Sequence, residues 1–330
     1  MTVQFTIIGL GQIGASVGLA LASQKEQIVR VGHDKDANIA KKAKQIGAVD
    51  RIENNLHASV RDADVVLLAL PMDQLRETLE LIGPDLREGV VVLDTAPVKE
   101  IVADWAKQYL PSERYYIGLT PVLNPDYLHS ADAGIEAAHA DLFQGGLFAI
   151  VSPTETRSDA IKLAADLARL LGAAPLFADT VEIDGLMAVT HLLPQLLAAV
   201  LLDITIDQPG WQEGRKIAGK AYAGVSGAMN QPTTPESLAS AAIYNRENTL
   251  RILDNAIASL QALRSELQKQ DEKALADRFA RNQLGRELWW GQRRAGDWAN
   301  AELAGDVEMP KASEVFGNLF GMRRKSKNKK

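Results

Sequence analysis

Residues 3–34 read VQFTIIGLGQIGASVGLALASQKEQIVRVGHD, and the order of the pieces in this stretch decides the fold. Val3 to Ile8 is a short apolar run rich in β-branched residues, the pattern of a strand buried on both faces. It leads straight into Gly9-Leu10-Gly11-Gln12-Ile13-Gly14, and residues 15–22 then repeat small and apolar side chains at helical spacing. A second apolar run, residues 28–32, ends on His33-Asp34. Strand, glycine turn, helix, strand and acid in that order have a mechanism. Gly9 permits a tight turn, Gly11 lets the backbone approach a pyrophosphate, and Gly14 lets the helix pack close to the strand. The helix start offers free N–H groups and partial positive charge to the phosphates. Asp34, twenty residues after Gly14, is placed to accept hydrogen bonds from the adenosine ribose hydroxyls. A carboxylate there repels a 2′-phosphate, so NAD is expected over NADP; Lys35 next to it keeps NADP open. His33 is expected against the adenine. The competing reading of the same glycines is a turn in an α/β fold that binds nothing.

The chain has 330 residues and 46% apolar side chains, which suits about two domains with real cores. It has no cysteine, which excludes disulfides, zinc–thiolate sites and thiol nucleophiles. Its five histidines are scattered without ligand spacing, so no metal site is expected. The N-terminus enters a strand without a basic leader, and no uninterrupted apolar run reaches the ~18 residues of a membrane span. The expectation is a cytoplasmic protein. Net charge is −6, yet the last ten residues carry six basic side chains (Arg323, Arg324, Lys325, Lys327, Lys329, Lys330) and no acid. The remainder is therefore −6 − 6 = −12, and an acidic body argues against nucleic acid as a partner.

Strand and helix patterns alternate as far as residue 178. Residues 37–46 read as a helix closed by Gly47, and 65–70 as a buried strand ended by Pro71. The turn at Leu70-Pro71 is expected to pass the nicotinamide half of a dinucleotide. Residues 75–82, 101–110 and 159–171 read as helices; 90–93, 115–119, 147–151 and 175–178 read as strands. This alternation implies a doubly wound, mostly parallel α/β sheet of Rossmann type over residues 1–178. From about Thr180 the pattern is helical. Residues 184–206 form a very apolar helix interrupted by Pro194, which must be buried in a helical domain or against a second subunit. Residues 210–229 read as a broken helix, 235–270 as one helix, and 271–292 as another. The second domain is set at residues 179–309, and a basic tail without order signals at 310–330.

Five blocks, in order, resemble the prephenate/arogenate dehydrogenase family. They are IGLGQIGASVGLAL from Ile8, DVVLLALP from Asp64, VLDTAPVK from Val92, ADLF from Ala140 and YNREN from Tyr244. The resemblance implies a Rossmann domain followed by a helical dimerisation domain, hence a homodimer with a small-molecule substrate. It also implies oxidative decarboxylation of prephenate or arogenate, in tyrosine biosynthesis. There a histidine assists deprotonation of the ring hydroxyl, hydride passes to the nicotinamide, and loss of carbon dioxide gives an aromatic ring.

The chain departs from the family at three places. Thr120, in Leu119-Thr120-Pro121, stands where the family has its catalytic histidine. A threonine hydroxyl forms hydrogen bonds but is no base near neutral pH. Pro97 stands for a serine, and no arginine is found near Ser226-Gly227, where the family clamps a substrate carboxylate. Arg215 and Arg246 are the next candidates for the clamp. His191 loosely matches a second family histidine, and the choice lies between a core histidine and a base or ligand. Three departures together point to the family reaction, to hydride transfer on another small substrate, or to a nucleotide-binding dimer that has lost catalysis. Lys99 reads either as facing the cofactor or as a solvated helix start. Asn124 and Asn245 read as replacements for a lost substrate contact, and Trp289-Trp290 as core or interface.

Overall fold

The computed structural model describes residues 2–24, 26–130, 132–230 and 234–296. The basic tail and the rest of residues 297–330 lie outside them. The apolar runs become the strands β1 (Val3–Ile8), β2 (Ile28–His33), β3 (Arg51–Ile52), β4 (Val65–Leu68), β5 (Val91–Asp94), β6 (Tyr115–Val122), β7 (Leu147–Val151) and β8 (Ala174–Phe177). They form one sheet in the order β3-β2-β1-β4-β5-β6-β7-β8. Every neighbouring pair is parallel except β6 with β7. The helices that cover it are α1 (Gln12–Ala20), α2 (Ala37–Gln45), α3 (Leu56–Val60), α4 (Met72–Ile82), α5 (Glu100–Tyr109) and α6 (Ser158–Leu170).

Two apolar layers follow from strand alternation. Phe5, Ile7, Leu67, Leu93, Ile117 and Leu119 point to the layer under α1, α2 and α6. Ile8, Val66, Leu68, Val92 and Tyr116 point to the layer under α4 and α5. The strand expected at 115–119 runs on through Thr120 and Pro121 to Val122. Proline reads as a stop, but β5 pairs only as far as Gly118. Beyond that point one edge of β6 is open, and the absent N–H costs no ladder bond on that side.

After the sheet come α7 (Thr180–Met187), a π-helical turn (Ala188–Leu192), α8 (Leu193–Asp203), α9 (Trp211–Ile217), α10 (Lys220–Ser226), α11 (Pro235–Tyr244), α12 (Arg246–Gln268) and α13 (Glu272–Ala295). The single helix expected over 235–270 is two, broken at Asn245 (φ −103°, ψ 36°). Its amide Nδ2 donates to the Asp184 carbonyl at 2.7 Å, a tertiary bond that wins over helix continuity. The apolar helix also differs from expectation. Thr180–Asp203 is a continuous helical stretch, long and apolar enough by length and composition to cross a membrane, and little of it is buried within one chain. Leu186, Val189, Leu197, Val200 and Ile204 are exposed. Its other side is committed to the protein: Leu192 packs in the layer with α4 and α5, and Ile183 and Met187 pack on Ala149 and Val151 of β7.

Candidate functional site

The chain leaves β1 for β2 on one side and returns to β4 on the other. The carboxyl ends of β1 and β4 therefore border the crevice in which such sheets bind ligands. Gly9 turns there at φ +90°, in the left-handed region, and its N–H bonds to the His33 carbonyl at 2.9 Å. A Cβ on Gly14 would collide with the Gly9 carbonyl oxygen, whereas one on Gly11 would meet no protein atom within 4 Å. The backbone of Gly11-Gln12-Ile13 thus opens the first turn of α1 to free space, and that turn holds no acidic side chain. The open cradle fits an anionic diphosphate.

Asp34 also does something the sequence did not disclose. Its Oδ2 accepts from the Leu10 N–H at 2.8 Å and its Oδ1 from the Asp36 N–H at 2.9 Å, so it braces the glycine turn. His33 sets Nδ1 at 2.9 Å from the Glu53 carbonyl. Leu70 and Pro71 form the facing wall: Leu70 Cδ2 lies 3.1 Å from where a Gly9 Cβ would sit, and Pro71 caps α4.

Further along the sheet edge, Thr120 projects beyond the last residue of β5. It shares a face of β6 with Tyr116 and Gly118. Thr120 pairs with Ala149 and Gly118 with Val151, the two residues on which Ile183 and Met187 of α7 rest. His191 comes one turn after Met187 on the same helical stretch. The Thr120 hydroxyl is buried, with 7% of the residue exposed, and makes no hydrogen bond among the described residues. An orphaned buried hydroxyl is costly unless something else supplies its partner. His191 is half-buried, and among the described residues nothing bonds to its imidazole. Burial pushes its pKa below the ordinary value, which favours the neutral ring.

A buried charged cluster supports this corner. Lys99, expected at the cofactor or in solvent, is fully buried instead. Its Nζ donates to Asp94 Oδ1 at 2.8 Å, and the Tyr116 hydroxyl donates to Asp94 Oδ2 at 2.6 Å. Burial lowers the Lys99 pKa against the pull of Asp94, and burial beside Asp94 raises that of Tyr116 well above its ordinary value. Lys99 Cδ stands 2.8 Å from the place of a Gly118 Cβ, so only glycine fits there. Asp184 of α7 accepts from the Lys99 and Glu100 N–H groups at 2.6 and 3.0 Å, capping α5 from the helical half. Burial raises its pKa, and those two N–H donors oppose the shift. None of these partners is close in sequence, apart from Asp94 and Lys99, which share one block.

Several other expectations are revised. Asn124 is spent within its own loop, accepting from the Asp126 N–H and donating to the Asp141 carbonyl. Asn245 is spent on Asp184 and Asn248. Each amide thus has a structural role in the protein itself. Trp289 is 44% exposed, with the Arg286 guanidinium over both indoles, so the pair is not core. Pro97 is half-buried in the loop before α5. Ser226 ends α10, Gly227 lies in the 3₁₀ turn that follows, and Arg215 and Arg246 are exposed on α9 and α12.

Residues 17–175 match the family model described as prephenate dehydrogenase, nucleotide-binding domain, and residues 179–281 match prephenate dehydrogenase, dimerization domain. Cyclohexadienyl dehydrogenase of Zymomonas mobilis is 25% identical over 287 residues, covering 85% of this chain and 94% of that protein. Prephenate dehydrogenase of Bacillus subtilis is 23% identical over 271 residues, covering 82% and 71%. Among solved structures, prephenate dehydrogenase from A. aeolicus, in complex with hydroxyphenyl propionate and NAD+, superposes with a TM-score of 0.77 at 20% identity, covering 87% of this chain and 98% of that one.

Proposed function

The chain belongs to the prephenate dehydrogenase family, and from that premise we propose that it is an NAD-dependent dehydrogenase that oxidatively decarboxylates prephenate or arogenate in the cleft between Thr120 and His191. The observation that carries this reading is the orphaned Thr120 hydroxyl, buried on the same sheet edge as an open glycine cradle. The cradle fits a dinucleotide diphosphate at Gly9-Leu10-Gly11-Gln12-Ile13-Gly14. Asp34 favours NAD over NADP, with His33 near the adenine and Leu70-Pro71 along the nicotinamide half. A bound nicotinamide supplies the hydride acceptor.

In this reading the neutral His191 takes the proton of the substrate's ring hydroxyl. The adjacent C–H leaves as hydride, and the electron pair of the bond to carbon dioxide passes into the ring. The proton returns to the phenolic oxygen, so atoms and charge balance. Thr120 donates a hydrogen bond to the substrate and orients it. It does not act as a base. Residues 1–178 hold the cofactor and 179–309 complete the cleft. The exposed apolar face of Thr180–Asp203 is read as a homodimer contact rather than a membrane span, supported by the match to a dimerization domain. A cytoplasmic setting belongs to the same proposal, since the reaction draws on a nicotinamide cofactor kept inside cells.

The test is NAD reduction followed by absorbance, with prephenate and then arogenate. Turnover of either supports the reading. NAD binding without turnover of either would favour a dimer that has lost catalysis or serves another substrate.

A further inference from the structure

The helical half grips the sheet half at the starts of two helices. Ser237 Oγ of α11 accepts from the Met72 N–H, the first residue of α4, at 2.8 Å. Asp184 of α7 accepts from the first N–H groups of α5, those of Lys99 and Glu100. α4 follows the Leu70-Pro71 turn and α5 follows the loop 95–99, so both grips flank the carboxyl ends of β4 and β5. The Asp184 grip is the stronger kind, with a charged acceptor, two donors, burial and the positive end of a helix.

Its place along the chain gives it a consequence for chemistry. Asp184 and His191 lie on one continuous helical stretch, Thr180–Asp203. The carboxylate ties that stretch to α5, while the Asp184 carbonyl is tied to Asn245 at the head of α12. Held from two directions at one residue, the helix cannot slide or roll freely. Ile183 and Met187 are then seated on Ala149 and Val151, the β7 partners of Thr120 and Gly118, and His191 follows one turn later along the same helix. We propose that Asp184 is a positioning residue of the reaction, setting the height and roll at which the helix carrying His191 meets the Thr120 strand. This rests on the reading of the cleft given above.

The test uses the full chain with Asp184→Ala, and with Asp184→Asn, whose amide oxygen keeps one acceptor. At saturating NAD and prephenate, kcat falls at least ten-fold in Asp184→Ala and less in Asp184→Asn. The Kd for NAD by calorimetry stays within two-fold of the wild type, because the glycine cradle lies away from α5. Amide hydrogen exchange at residues 188–192 speeds up at least ten-fold in Asp184→Ala and is unchanged at residues 12–20. Unchanged kcat and unchanged exchange would overturn the proposal. So would an equal loss of kcat and of NAD affinity, which would mark Asp184 as a general fold contact. Should Asp184→Ala fail to fold, Asp184→Asn is judged by the same split. If the wild type turns over neither prephenate nor arogenate, the functional reading fails, and the exchange measurement still decides for or against Asp184.

Discussion

At the residue scale, some side chains hold the site and others are proposed to face a ligand. Asp34 holds the glycine turn by accepting from the Leu10 N–H, and its place at the ribose is part of the proposal. Asp34→Ala is expected to weaken NAD far more than NADP. One charge-assisted contact is worth roughly 1.5–3 kcal/mol, about ten-fold or more in affinity, and calorimetry with both cofactors reads it. Thr120→Val tests the orphaned hydroxyl. Its kcat/KM for prephenate should fall roughly ten-fold, while its Tm should not drop, because no hydrogen bond among the described residues engages this group. A lower Tm with unchanged kcat/KM would give Thr120 a structural role. His191 gives a pH signature. Burial favours its neutral, base-competent ring, so the rate should rise with pH through a value below the ordinary ~6.5 of histidine. An acid limb above that value would remove His191 as the base. The glycine turn was legible because its reasons are local. The Lys99–Asp94–Tyr116 cluster was hidden because Tyr116 reaches Asp94 from the neighbouring strand, twenty-two residues away in sequence, and no periodicity records that.

At the element scale, the strands read best. β1 and β7 follow the bounds of their runs, since each begins and ends on apolar residues. The errors have tertiary causes. α11 and α12 look like one helix until the Asn245 amide is seen bonded to Asp184. β6 looks finished at Leu119 until β5 is seen to end opposite Gly118. The helix around Pro194 was read as an interruption, whereas the chain passes through it by way of a π-helical turn, a local adjustment common at functional sites. The same stretch supplies the prediction for this scale. Leu197, Val200 and Ile204 form one exposed stripe on α8, and each such side chain gains roughly 1.5–3 kcal/mol when fully buried. Sedimentation at micromolar concentration should find a dimer, and Val200→Asp should shift it to monomer. A well-folded wild-type monomer would contradict this.

At the scale of the whole molecule, the two halves meet where the proposed chemistry lies. Asp184 and Ser237 cap helices of the sheet half, and Trp105 of α5 meets Tyr244 of α11 edge-on with ring centroids 5.0 Å apart. The fold class and the change from sheet to helices near residue 178 were legible from patterning alone, because each half buries its own periodicity. The docking of one half on the other was not, since its polar caps and its ring and apolar contacts join residues far apart in sequence. Because Thr120 stands where the resemblance places a catalytic histidine, the proposed reaction is tested most directly by turnover. Steady-state NAD reduction should be recorded with prephenate and with arogenate, for the wild type and for His191→Asn. The wild type should turn over at least one of the two, and His191→Asn should bind NAD normally while losing roughly a hundred-fold or more in rate, the scale of a lost general base. A wild type that binds NAD and reduces it with neither substrate, or a His191→Asn variant at full rate, would contradict it.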